Sequence, residues 1–151
     1  MNDKLTEKEK KAYVSLYKKD SLSYSLTLCA IIAELVFVVG ILDVMEVSFW
    51  MGITVMVNIA VLFMLFTCAV KMNIYNRTWA TVALVLGVYF LVRQFVIVPG
   101  ILKPYDRQIM IMAANISGAA FLVLAGLISM RRSDRRRKLQ ETLDEQDERR
   151  R

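Results

Sequence analysis

The chain has 151 residues, of which 56% are hydrophobic and 23% are charged, and its formal net charge is +6. A soluble domain of this length spreads its apolar residues through amphipathic periods, whereas here they form long runs. This segregation excludes an ordinary soluble globule, and the high hydrophobicity excludes disorder across most of the chain. The composition therefore indicates an integral membrane protein.

Four apolar stretches are each long enough to cross a hydrocarbon core of about 30 Å, which takes roughly 20 helical residues. Charged residues or prolines lie at their boundaries. We therefore expect an all-α fold, a polytopic membrane protein in which four transmembrane helices form a bundle over residues 21–130. The four predicted spans are Leu22–Leu42, Phe49–Val70, Thr78–Val98 and Ile109–Met130.

The distribution of Lys and Arg predicts the orientation of these spans, because positive residues near span ends are retained on the cytoplasmic side. Six basic residues precede the first span, two lie in the middle connection and nine follow the fourth span. The opposite side receives only Lys103 and Arg107. Together with the small size of the chain, this bias favours a multi-pass protein of the bacterial cytoplasmic membrane with both termini in the cytoplasm.

The N-terminal segment, residues 1–20, has the pattern of an amphipathic helix. Thr6 and Glu9 have the spacing of a capping box at a helix start, and the apolar residues that follow recur on one face. Such a helix is suited to lie on the inner membrane surface. The alternative is a solvated tail whose periodicity arises by chance.

The C-terminal tail, residues 131–151, carries a basic block, then an acidic block, then three arginines. Basic residues directly after a span are attracted to anionic lipid headgroups by about 1 kcal/mol each. The fourth span is able to continue into this tail as a charged helix. Nucleic acid is not an expected partner, because no aromatic stacking platform accompanies the basic block. The predicted headgroup contacts are Arg131, Arg132, Arg135, Arg136, Arg137 and Lys138.

Catalysis and metal binding have little support in the sequence. The chain has no His and only two Cys, so zinc, haem and histidine-based catalysis lack their usual ligands and bases. It has no phosphate-binding glycine loop, nucleophile elbow or HExxH motif. We expect no enzyme activity, no cofactor and no metal site.

Ionisable residues inside membrane spans are costly and are therefore candidates for function. Two such residues lie well inside the predicted spans, Glu34 in the first and Arg93 in the third. Asn58, Gln94 and Asn115 are the uncharged polar residues that accompany them. These five residues are the predicted intramembrane site.

Residue counting places these groups at similar depth. Glu34 and Asn58 lie twelve residues from the cytoplasmic ends of their spans, and Arg93 and Asn115 lie fifteen residues from theirs. At about 1.5 Å per residue, the depths are about 18 Å and about 22 Å. We therefore expect one polar layer, in which pairing of Glu34 with Arg93 removes most of the penalty of two separate charges. Alternatively, the long Arg93 side chain extends to the outer interface and never meets Glu34.

Small residues at four-residue spacing mark helix faces that can pack closely. Such rows occur on the first, third and fourth spans. They favour close packing within the bundle or against another subunit. The rows consist of Ser25, Cys29 and Ala33, of Ala83 and Gly87, and of Ala114, Gly118 and Gly126.

The segment Ala30–Leu35, with the sequence AIIAEL, resembles the membrane-embedded glutamate segment of small multidrug resistance transporters. These are four-helix proteins that exchange protons for cationic substrates. The resemblance, which is confined to these six residues, implies a small proton-coupled exporter in which Glu34 is the alternately protonated, substrate-binding carboxylate. The long charged tails and the single Gly87 of the third span depart from that family's pattern.

The interpretation that we favour is a protein that acts through association. Connections of six to ten residues leave no soluble domain to host chemistry, and four spans leave little room for an aqueous pathway within one chain. We expect an accessory, scaffolding or assembly subunit of a membrane complex, or a homo-oligomer, whose bundle is latched by Glu34 and Arg93. Its expected partners are the lipid bilayer and another membrane protein or a second copy.

Overall fold

The computed structural model describes residues 20–74, 76–96 and 105–150. All secondary structure in these ranges is helical, and each helix contains a stretch long and apolar enough to cross a membrane, which confirms the predicted all-α bundle of four spans. The predicted amphipathic segment 1–20 lies outside the described residues except for Asp20. The helices are α1 (Ser21–Leu42), α2 (Phe49–Met72), α3 (Arg77–Val96) and α4 (Tyr105–Arg150).

Polar side chains begin three of the helices. Asp20, Ser48 and Asn76 each accept a hydrogen bond from a backbone N–H in the first turn of the helix that follows. A side-chain oxygen at this position satisfies a donor that has no partner within the helix. The starts of α1, α2 and α3 are therefore encoded by single residues at the boundary between the apolar and polar stretches.

The fourth helix extends well beyond the predicted span Ile109–Met130. It begins at Tyr105 and continues without interruption to Arg150, which confirms the charged helical tail. After Gly126 the sequence contains no Gly or Pro, and the Arg, Lys, Glu, Gln and Leu residues there favour helix. The 20 residues from Arg131 to Arg150 extend the helix by about 30 Å at about 1.5 Å per residue.

The four helices run up and down in sequence order, so the bundle has two distinct ends. We call the end where α1 begins and α4 leaves the bundle the tail end, and the end with the α1–α2 connection the hairpin end. Helix α4 makes the two largest interfaces, with α1 and with α3, and α1 also packs on α2. The interface between α2 and α3 is the smallest of the four. This weak contact leaves grooves between α2 and α3.

Two apolar clusters form the core, one towards each end. The larger cluster, at the tail end, includes Leu65, Phe90 and Leu122, and the smaller one, at the hairpin end, includes Phe37 and Ile111. Along each helix the predicted polar residue falls between the two clusters or at the edge of one. The polar layer is therefore enclosed by apolar side chains above and below.

The small residues of α3 and α4 allow these helices to approach closely within the bundle. A Cβ atom built on Gly126 would lie 2.7 Å from Cγ of Leu84 and 3.0 Å from the carbonyl oxygen of Ala80. One built on Gly118 would lie 3.1 Å from the Phe90 ring. The small residues were expected to pack either within the bundle or against another subunit. Gly118 and Gly126 pack within the bundle.

Candidate functional site

The structure brings Glu34, Asn58, Arg93 and Asn115 together in one polar layer, with one residue from each helix. All four are buried, with exposed fractions of 0% for Glu34, 5% for Asn58, 3% for Arg93 and 1% for Asn115. Gln94, the fifth predicted residue, is also buried and lies at the edge of the layer. All five residues singled out from the sequence thus belong to one connected site.

A two-pronged ion pair joins α1 to α3 at the centre of the layer. Arg93 donates from Nη1 to Oε1 of Glu34 at 2.8 Å and from Nη2 to Oε2 at 2.6 Å. Parallel bonds of this kind between a guanidinium and a carboxylate are among the strongest in proteins, and they fix the geometry of both groups. Arg93 therefore points into the bundle and meets Glu34, and it does not extend to the membrane interface.

The remaining N–H groups of Arg93 bind the two asparagines. Nη1 donates to Oδ1 of Asn58 at 3.1 Å, and Nε and Nη2 donate to Oδ1 of Asn115 at 3.1 Å and 2.6 Å. A guanidinium has five N–H donors. With the two bonds to Glu34, every one of them has an acceptor on another helix.

Asn115 is the second centre of the site. Its amide nitrogen donates to the Phe90 carbonyl oxygen at 2.7 Å and to Oε1 of Gln94 at 3.1 Å. Its oxygen faces Arg93 while its NH₂ group binds the backbone and side chain of α3, so the amide orientation is fixed by four hydrogen bonds. Asn58 is held similarly, because its nitrogen donates to the Thr54 carbonyl oxygen at 2.7 Å.

Aromatic rings cover the guanidinium, a feature that the sequence analysis missed. The Cζ atom of Arg93 lies 3.6 Å from the centre of the Phe37 ring and 4.4 Å from that of Phe90. A cation over a ring face within about 6 Å gains electrostatic attraction, more so when it is desolvated. The signal was present in the sequence, because Phe37 follows Glu34 by three residues and so shares its helix face.

A small cavity of about 200 Å³ lies beside the layer, between α1, α2 and α3. Asn58 and Arg93 form part of its wall together with Thr54, Tyr89 and several apolar side chains. All five N–H groups of Arg93 already have acceptors, so none is left to bind a ligand in this cavity. The cavity is therefore an open space next to a completed network.

A second polar cluster at the tail end was not predicted. Asp20 is fully buried, and its carboxylate accepts from the N–H and the hydroxyl of Ser23 at 3.2 Å and 2.8 Å. The same carboxylate accepts from Nη1 of Arg132 at 2.5 Å. The Asp20 N–H donates to the carbonyl oxygen of Asn73 at 3.2 Å. One residue thus joins the start of α1 to the end of α2 and to the extension of α4.

The six basic residues predicted to contact lipid headgroups occupy different environments. Arg132 is half-buried and points to Asp20, and Arg136 is also partly buried. Arg137 lies 3.6 Å from Glu141 in an exposed pair. The exposed members of the set are Arg131, Arg135, Arg137 and Lys138.

Within residues 20–74, 76–96 and 105–150, no three His, Cys, Asp or Glu side chains come close enough together to hold a metal ion. Comparisons with known protein families, with curated proteins and with solved structures find no match to this chain. The site therefore has to be interpreted from its own geometry.

Proposed function

We propose that this protein is a small integral membrane protein that acts through association, as an accessory, scaffolding or assembly subunit of a membrane complex or as a homo-oligomer. The observation that carries the proposal is the saturation of Arg93, whose five N–H groups all bind side chains of this chain. A substrate site keeps convergent polar groups available for its ligand. The polar layer instead acts as an internal latch that holds four helices in register.

The latch argues against the alternative of a proton-coupled exporter. Glu34 is fully buried, and both of its oxygens accept from Arg93. A transport cycle would have to break both bonds at every turnover and leave a buried guanidinium without its counter-ion, which is costly. The exporter would be favoured instead if the unmodified protein moved protons in a substrate-dependent way in proteoliposomes and the Glu34→Gln variant, still folded, did not.

The outward face of α2 is the surface through which we propose that the protein associates. In the most apolar stretch of α2, 28% of the residues are buried, against 39% in each of the other three helices. Large apolar side chains cover its outer face, among them Met56 at 73% exposed and Phe63 at 70%. Inside a membrane, such exposed apolar side chains contact either lipid or the helix of a partner protein.

We further propose that the protein lies in the bacterial cytoplasmic membrane with its tail end in the cytoplasm. The excess of Lys and Arg at that end supports this orientation. Single cysteines at Val47 and Gln140, both exposed, test it in a chain that lacks Cys29 and Cys68. A membrane-impermeant maleimide should label Val47→Cys in intact cells and Gln140→Cys only after permeabilisation, and the reverse pattern would contradict the orientation.

The function is tested by photo-crosslinking in native membranes. A photoreactive amino acid at Met56 or Phe63 should yield a discrete protein adduct, either with one partner or with a second copy of the chain. The same group at Leu65, which is fully buried, is the matched control on α2 and should react only within the chain. If only lipid adducts form at the exposed positions, and affinity purification yields a monomer, the association proposal is wrong.

A further inference from the structure

A groove between α2 and α3 lies at the tail end, outside the polar layer. Its volume is about 550 Å³, which falls in the range of about 300–1,000 Å³ typical of ligand sites. The interface between these two helices is the smallest of the four interfaces in the bundle. We call it the α2–α3 groove, and its lining includes Met64, Arg77, Thr78, Thr81, Val85 and Leu86.

The groove is apolar along its length and polar at one end. Met64 and Val85 are 41% and 62% exposed, so the groove is open towards the membrane. Arg77 lies at the tail end of the groove, in the first turn of α3. From Arg77 to Leu86 the helix rises about 14 Å, close to the half-thickness of about 15 Å of a hydrocarbon core. The groove therefore has the length of one leaflet and carries a cation where the headgroups begin.

Arg77 remains accessible for a ligand. Its side chain is 53% exposed, and Nη1 lies 3.2 Å from a carboxylate oxygen of Asp134. Among the described residues, Asp134 is the one carboxylate that pairs with it, and a guanidinium has further N–H donors. Lys71 lies on the other side of the short α2–α3 connection and is also exposed. The charge at this end of the groove favours an anion.

We propose that the α2–α3 groove binds an anionic glycerophospholipid of the surrounding leaflet, with one acyl chain along Met64, Val85 and Leu86 and its phosphate on Arg77. The hydroxyl of Thr78 is a further donor for that phosphate. The site is separate from the general attraction of the basic block in the α4 extension, because it combines a shaped apolar groove with one defined cation. Neither the latch nor the association of the protein is needed for it.

The test uses the purified full-length chain in detergent and native mass spectrometry. Phosphatidylglycerol and phosphatidylcholine with identical acyl chains are offered separately. We expect one retained lipid per chain and a preference of about fivefold for phosphatidylglycerol, the contribution of one basic side chain next to anionic lipid. Equal retention of the two lipids by the unmodified protein would overturn the proposal.

Two charge variants assign the headgroup contact. Arg77→Gln should abolish the preference, whereas Arg149→Gln, which removes the same charge near the far end of α4, outside the groove and outside the basic block, should preserve it. Asp134→Asn should strengthen phosphatidylglycerol retention, because it removes the internal competitor for Arg77. Equal losses in Arg77→Gln and Arg149→Gln would mean that net charge, and not the groove, selects the lipid.

A steric variant assigns the acyl-chain contact. Val85→Trp should fill the groove and reduce retention of both lipids at least severalfold. Val92→Trp is its matched control, since Val92 is 52% exposed on the same helix and lies outside the groove. Circular dichroism establishes that both variants keep their helices. Unchanged retention in Val85→Trp would show that the lipid binds elsewhere.

Discussion

Asp20 and Arg132 are 112 residues apart in the chain, yet their side chains meet at 2.5 Å at the tail end of the bundle. The carboxylate that begins α1 is thereby also the anchor for the extension of α4. The ion pair of Arg77 with Asp134, at 3.2 Å, adds a second link between α4 and the start of α3. The bundle is therefore fastened by charge at two levels, at its tail end and in the polar layer.

The first prediction concerns the latch itself. Glu34→Gln and Arg93→Gln should each lower the free energy of unfolding by about 3–5 kcal/mol, because each leaves a buried charge without its partner. The double variant should cost less than the sum of the two single changes. Unfolding in mixed detergent micelles, followed by tryptophan fluorescence, measures the three values.

Glu46→Gln is the control for this cycle, because Glu46 is an exposed acid in the α1–α2 connection. It should change the unfolding free energy little, as is usual for a surface position. Strictly additive losses in the double variant would contradict the coupling of Glu34 and Arg93.

The second prediction ranks the two asparagines of the polar layer. Asn115→Ala removes the acceptor of two Arg93 donors, whereas Asn58→Ala removes the acceptor of one. Each unsatisfied buried donor costs about 1–3 kcal/mol. Asn115→Ala should therefore destabilise the protein about twice as much as Asn58→Ala in the same unfolding assay. Equal or reversed losses would contradict the role of Asn115 as the second centre.

The third prediction separates the two roles of Asp20. Asp20→Ala should cost the most, because it removes the cap of α1, worth about 1 kcal/mol, together with the Arg132 contact. Asp20→Ser keeps a capping oxygen but loses the ion pair with Arg132 and the second acceptor oxygen, which binds the Ser23 hydroxyl. Arg132→Gln should cost about 1 kcal/mol, since its side chain is 42% exposed and solvent screens the interaction. Thermal unfolding of the three variants in detergent measures the order.

Arg135→Gln is the control for the Arg132 substitution, because Arg135 is exposed in the same extension and its loss changes the net charge equally. A loss in Arg135→Gln as large as that in Arg132→Gln would show that net charge, and not the contact with Asp20, accounts for the effect.

The fourth prediction compares two glycines. Gly126→Ala should destabilise the bundle by about 1–3 kcal/mol, because the added methyl group meets Leu84 and the backbone oxygen of Ala80. Gly52→Ala is the matched control, since nothing lies within 4 Å of its added Cβ. In that open position alanine favours the helix by about 0.5–1 kcal/mol. Destabilisation by both substitutions to the same extent would contradict the close approach of α3 and α4.

Most of the fold was predictable from the sequence, because the properties that determine it are local. A span is identified by the length of its apolar run, and the depth of Glu34 or Asn115 follows from counting residues along a helix of known rise. Counting therefore placed the residues of the polar layer near one level, and the structure has them in contact.

The details of the site depend on how the helices are rotated about their axes, which depth alone does not determine. Asp20 looked like a flanking charge, because its contact with Arg132 depends on the direction in which α4 leaves the bundle. For the same reason, counting did not reveal that Asn115 holds both Arg93 and α3, or that the Phe37 ring lies against the guanidinium.

The continuity of α4 has a mechanical consequence. The same unbroken helix carries Asn115 inside the bundle and projects as a lever arm towards Arg150. A force applied near Arg150 would therefore be transmitted along this helix, past the ion pair of Arg132 with Asp20, to the Asn115 side chain that binds Arg93. A molecule that binds the α4 extension would thus be connected through one continuous helix to the polar layer inside the bundle.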